Sequence, residues 1–141
     1  MGEMYTERLL DHYRRPRNKG ELESTDTSNV TGQVLAAHEY NALCGDEVTI
    51  QVLIEEGRIA EARFDGRGCA LCMGAASILT EAVQGRTVEG VASFGKDEYL
   101  EELAATVRPA RLKCALLPWM AFRHAVFGEE EWSLLDNGSE E

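Results

Sequence analysis

Apolar residues recur along this chain with two different periods, and the period changes near residue 70. Before that point Val48, Ile50, Val52 and Ile54 alternate with mostly polar neighbours, the spacing of a half-buried strand. The pattern predicts strands over residues 30–39, 47–55 and 58–64. The short glycine-containing connection "EEGR" joins the last two as an antiparallel hairpin. From Ala70 onward Leu71, Ala75, Ile78, Leu79 and Ala82 fall on one side of a helix that Gly85 closes. Two short helices follow at 88–93 and 97–105, Pro109 breaks the chain, and a last helix runs over 111–127 to Gly128. An opening helix is expected over 5–13, with Thr6 or a neighbour as its cap and Leu9, Leu10 and Tyr13 as its apolar face. The basic stretch "RRPRNKG" ends it, because Pro16 disfavours helix at Arg15 and Asn18 and Gly20 form turns. These cations suit a helix C-terminus as a solvated end; a docking patch is the competing reading. Residues 21–29 read as a loop.

Strands first and helices afterwards describe an α+β fold: a small antiparallel sheet of about three strands with helices packed on one face. At 141 residues one domain is expected over 1–141, with its core at about 4–127 and an acidic tail at about 133–141. Such a chain is long enough to bury a core without staples. Hydrophobic residues at 44% and charged residues at 28% are ordinary for a globular chain. The charge is not ordinary: 25 acidic against 14 basic residues give −11. That balance argues against nucleic acid as a partner and against an anionic membrane surface, both of which demand basic surface. No run approaches the roughly 18 apolar residues of a membrane helix, and the N-terminus has no apolar signal core. A cytoplasmic location is therefore expected.

In a reducing compartment the four cysteines, Cys44, Cys69, Cys72 and Cys114, point away from a disulfide framework and toward metal binding, thiol chemistry or plain burial. Their positions narrow the choice. Cys44 lies in the loop entering the second strand, Cys69 between the third strand and the long helix, and Cys114 in the first turn of the last helix. Cysteines that merely fill a core show no bias to element ends, whereas a scaffold places its chemistry there. Gly45 follows Cys44, and Gly66 and Gly68 precede Cys69, so backbone can approach closely at both. Cys69 and Cys114 near helix N-termini are expected to gain thiolate character. With Asp46 these thiols make a four-coordinate set of three sulfurs and one oxygen, suited to zinc or to iron in a cluster. A plain turn-forming role for Asp46 fits its spacing equally well.

The segments "NALCGDEVTI", "FDGRGCALCMGAASILTE" and "ARLKCALLPW" resemble the cysteine segments of the iron–sulfur cluster assembly scaffolds of the IscU, SufU and NifU N-terminal type. "LLDHYRRPRNKG" is similar to that family's opening helix and loop, so the resemblance spans about residues 4–127. It implies the same α+β fold, with Cys44, Asp46, Cys69 and Cys114 as metal ligands. It also implies a transient [2Fe–2S] or [4Fe–4S] cluster, zinc at the same residues, sulfur received from a cysteine desulfurase, and release of the cluster to apo-proteins.

Three departures qualify the resemblance. Lys113 stands where many IscU members carry histidine, as in the SufU type, yet residues 85–109 are too few for the insertion usual in SufU. Val107–Arg108–Pro109–Ala110–Arg111 replaces the Leu-Pro-Pro-Val-Lys of members served by a dedicated Hsp70, which argues against that chaperone as a partner. Cys72 occupies a position commonly held by serine. Its CxxC pairing with Cys69 lacks the βαβ setting of a thioredoxin-like site, and a small buried residue is the reading favoured over a ligand or reserve thiol. His12, His38 and His124 read as structural or exposed. Two functions follow, a scaffold without turnover of its own and a SufU-type zinc-dependent acceptor of persulfide. A zinc-stabilised interaction domain is a third.

Overall fold

The computed structural model describes residues 6–22, 32–42, 44–103 and 107–128. The acidic tail, the loop over 23–29, the start of the first predicted strand and the end of the 97–105 helix lie outside the described residues.

Helix α1 (Glu7–Arg14) begins where the Thr6 hydroxyl accepts the Leu9 N–H at 3.1 Å, which satisfies one of the otherwise unpaired N–H groups of the first turn. It ends at Arg15, whose backbone leaves the α region that a following proline disfavours. Strands β1 (Gln33–Tyr40), β2 (Glu47–Glu55) and β3 (Arg58–Arg67) form one antiparallel sheet with β2 in the centre. Val48, Ile50 and Val52 are fully buried, as their alternation requires. The β2–β3 hairpin turns on Glu56 and Gly57, both at positive φ, 53° and 76°. That pair marks a two-residue turn of type I′, whose twist matches that of the strands.

Two local features depart from expectation. Strand β3 continues past Phe64 to Arg67. Gly66, at φ 148°, pairs with Val48, and a Cβ there would fall 2.2 Å from the Glu47 carbonyl oxygen. Glycine thus carries the ladder beyond the last apolar residue. The basic segment after α1 is also more than a solvated end. Phe64 N–H donates to Asn18 O at 3.0 Å and Gly20 N–H donates to Phe64 O at 2.7 Å, adding Lys19 as a parallel bridge on the outer edge of β3.

The helices are α2 (Ala70–Val83), α3 (Val88–Ala92), α4 (Lys96–Leu103) and α5 (Leu112–Phe127), the last preceded by a 3₁₀ turn at Pro109–Arg111 and closed by Gly128 at φ 69°. Helix α2 packs on β3, α5 lies across β1 and β2, and α1 packs on α2. Helices therefore cover one face of the sheet, as expected. Helix α2 is not one-sided, however. Every residue from Leu71 to Thr80 is buried, while Ala82 is partly exposed, because α1 covers the flank away from the sheet. Gly74 permits that approach: a Cβ there would fall 2.8 Å from the Leu9 carbonyl oxygen. No described helix is long and apolar enough to cross a membrane.

Candidate metal centre

Three element junctions meet at one end of the molecule. The loop before β2 is closed by its own backbone: Asn41 N–H donates to Asp46 O at 2.8 Å, and Gly45 N–H, at φ 81°, donates to Asn41 O at 2.7 Å. This tight turn leaves Cys44 exposed and turns Asp46 inward, where it is only 6% exposed. The β3–α2 junction lies directly against it. A Cβ on Gly68 would sit 3.0 Å from the Asp46 carboxyl carbon, so glycine makes room for the carboxylate. The next residue, Cys69, is the N-cap of α2, with its Sγ accepting the Cys72 N–H at 3.5 Å. Cys114, in the first turn of α5, is buried.

All four cysteines are free thiols. Cys44 Sγ and Cys114 Sγ lie 3.4 Å apart, far beyond the roughly 2.05 Å of a disulfide bond. These two sulfurs and one Asp46 carboxylate oxygen all lie within 4.8 Å of one another. A tetrahedral zinc at about 2.3 Å from each sulfur would set them about 3.8 Å apart, so the spacing fits a metal with little movement. Asp46 Oδ2 is buried without a hydrogen-bond partner among the described residues. An orphaned anionic oxygen costs free energy unless a cation or donor completes it. The turn is closed by the Asp46 carbonyl rather than by its side chain.

Cys69 does not belong to that close set. Its Sγ accepts a hydrogen bond from Arg111 Nη2 at 2.9 Å. Among the four expected ligands, the structure thus gathers Cys44, Asp46 and Cys114 and holds Cys69 beside them on a guanidinium. The helix N-terminus does not make the Cys114 thiol acidic, contrary to expectation. Burial pushes the Cys114 thiol up to about 12, aided by its bond with Cys44 and opposed by Arg111. Desolvation at the first turn of α5 outweighs the helix field. Coordination by a metal, which binds the thiolate, would have to supply that deprotonation.

Cys72 is fully buried below the site, and desolvation raises its pKa far above that of a free thiol; this matches the reading of a small buried residue. Lys113 is exposed. The histidines engage elsewhere: His12 with Ser77 at 2.7 Å, His38 with Glu47 at 2.9 Å and His124 with Glu39 at 2.7 Å. Arg111 was not among the residues singled out for chemistry. A cation three positions ahead of Cys114, just after a proline break, is the signal that could have marked it.

Residues 4–131 match the family model described as NifU-like N terminal domain. The chain is 31% identical to the zinc-dependent sulfurtransferase SufU of Bacillus subtilis, covering 90% of this chain and 92% of the relative. It is 34% identical to the iron-sulfur cluster assembly scaffold protein IscU of Azotobacter vinelandii, covering 86% and 91%. Among solved structures, a putative iron-sulfur cluster assembly scaffold protein for the SUF system from Fervidobacterium islandicum superposes with a TM-score of 0.65 at 23% identity, over 86% of this chain and 96% of that one. At that identity the likeness speaks for the fold.

Proposed function

The chain belongs to the family of NifU-like N-terminal domains, and on that premise we propose that it is a scaffold for iron–sulfur cluster assembly. Iron and sulfur are its substrates, the sulfur delivered by a cysteine desulfurase, and the finished [2Fe–2S] or [4Fe–4S] cluster leaves for apo-proteins. Cys44, Asp46, Cys69 and Cys114 would hold the metal. The observation that carries this reading is the buried Asp46 Oδ2, unpartnered among the described residues, beside two thiols within ligand spacing. Soft thiolates suit iron and zinc, while one hard oxygen makes a weaker bond that competing thiolates can replace. Cys44 stands exposed at the mouth, where incoming and outgoing groups can reach it.

Zinc-dependent sulfur transfer is the second reading, supported by Lys113 ahead of Cys114 and by the similarity to SufU over nearly the whole chain. Anaerobic reconstitution with ferrous iron, cysteine and a desulfurase separates the two. The scaffold reading expects a visible-absorbing cluster that is lost in Cys44→Ser, Cys69→Ser and Cys114→Ser. Persulfide on a zinc-loaded protein, with no cluster formed, would replace it with the transferase reading.

A further inference from the structure

Three thiols that must act together are carried here by three separate pieces of chain, and one side chain ties two of them. Arg111 ends the 3₁₀ turn at Pro109–Arg111, one residue before α5 begins. Its Nη2 donates to Cys69 Sγ at 2.9 Å, across 42 positions of sequence. Arg111 also stands three residues ahead of Cys114, so this one contact joins the segment that carries Cys69 to the segment that carries Cys114. Resting on the metal-site reading above, we infer that Arg111 is the positioning residue of the centre: it holds Cys69 beside the Cys44, Asp46 and Cys114 set and stays as a hydrogen-bond donor to the ligand sulfur after a metal binds.

The chemistry of the group suits that task. A guanidinium stays charged at any working pH and offers several N–H donors in one rigid plane, so a single side chain can serve two sulfurs at once. Lysine offers a point charge without the fork. A sulfur that donates one lone pair to a metal keeps others, and charge-assisted bonds to an anion are the strong ones. Metal coordination therefore need not displace Arg111. Three thiolates and a carboxylate also bring four negative charges to one small site, and a fixed cation beside them offsets part of the repulsion. Hydrogen bonds to ligand sulfurs tune the electronic properties of metal centres, so the contact has a spectroscopic consequence beyond folding.

Cobalt(II) titration of the full chain tests this, because cobalt reports on sulfur ligation by sulfur-to-metal charge-transfer absorption. The wild-type protein should show that band. Arg111→Gln should bind cobalt about tenfold more weakly, with the band moved to lower energy, since a sulfur that has lost an N–H donor holds its electrons less tightly. Arg111→Lys should give a smaller shift of the same sign, and it carries the test if Arg111→Gln does not fold. A variant that binds cobalt with an unmoved band overturns the inference, whatever its affinity, because Arg111 would then act only as part of the turn. A wild-type protein without the band would instead overturn the metal-site reading itself, and this inference with it.

Discussion

Asp46 closes its loop with a backbone atom and places its side chain beside the Cys44 and Cys114 thiols. Its carbonyl accepts the Asn41 N–H, and its carboxylate is buried with Oδ2 unpaired among the described residues. Asp46→Ala should leave the loop closed and remove a buried polar atom that costs about 1–3 kcal/mol when unsatisfied. The metal-free variant should then be as stable as the wild type or up to about 1 kcal/mol more stable; urea unfolding with a chelator present checks this. A turn-forming role for the side chain forecasts the opposite, a loss of stability. Cys72 behaves differently. A hydroxyl in its apolar site needs a new partner, so Cys72→Ser should cost about 1–3 kcal/mol of stability, yet metal stoichiometry should stay unchanged when titrated by competition. The thiols stood out as candidates because three of them fall at element ends, whereas Asp46 by spacing alone reads equally as a turn former. The Arg111 contact was not legible, since it depends on how the Pro109–Arg111 turn aims a long side chain at a residue on another helix.

The α1–α2 pair shows what one buried histidine does for an element. His12 is 3% exposed, its Nδ1 lies 2.7 Å from the Ser77 hydroxyl, and Ser77 Oγ accepts the Arg17 N–H at 2.8 Å. This node fastens both α1 and the basic segment after it to α2. Desolvation holds the His12 pKa below its ordinary 6.5; Arg17 and Arg8 lower it further, while Glu81 and Asp11 oppose them. The unfolded chain then binds the extra proton more readily than the folded one. The stability supplied by neutral His12 is fully present above 6.5 and declines as pH falls from there toward the folded value. Asp11, held down to about 2 by Arg15 and Arg17, contributes a separate loss only below its ordinary 3.8. Unfolding midpoints measured against pH should therefore decline below about 6.5 in the wild type and lie flatter in His12→Gln. A parallel decline in both would assign the effect to another group. Element types were readable from period, and the hairpin on Glu56 and Gly57 from the short glycine-containing connection between two strand-like runs. The continuation of β3 through Gly66 was hidden because a glycine in a ladder leaves no apolar mark, and the all-round burial of α2 was hidden because period cannot reveal a second layer.

At the scale of the whole molecule, the core does not depend on the metal. Phe64, Ile78, Tyr99, Leu116 and Phe122 are buried among elements on every side, away from the solvent-facing Cys44. The isolated protein should take up about one zinc per chain, with X-ray absorption showing mainly sulfur neighbours at about 2.3 Å and one lighter ligand. Chelation should loosen the site loops while the far-UV helical signal persists; collapse of that signal would place the chain with metal-dependent small domains. The α+β architecture was visible in the order of periods along the sequence. Charge spoke at this scale too: a formal −11 weighs against nucleic-acid partners. Periodicity and spacing, without the family resemblance, do not supply the meeting of three distant junctions at one end, which the packing of α2 and α5 on the same sheet face brings about. The account stands or falls on whether that meeting point is a place of assembly and release, with the Asp46 oxygen as its labile bond. The measurement that tests this most directly is the rate at which a reconstituted cluster passes to an apo-ferredoxin, compared between the wild type and Asp46→Ala. The account predicts that both proteins assemble the cluster and that the variant holds it longer and hands it on about tenfold or more slowly. Equal transfer rates, or a variant that loses its cluster faster than the wild type, would contradict it.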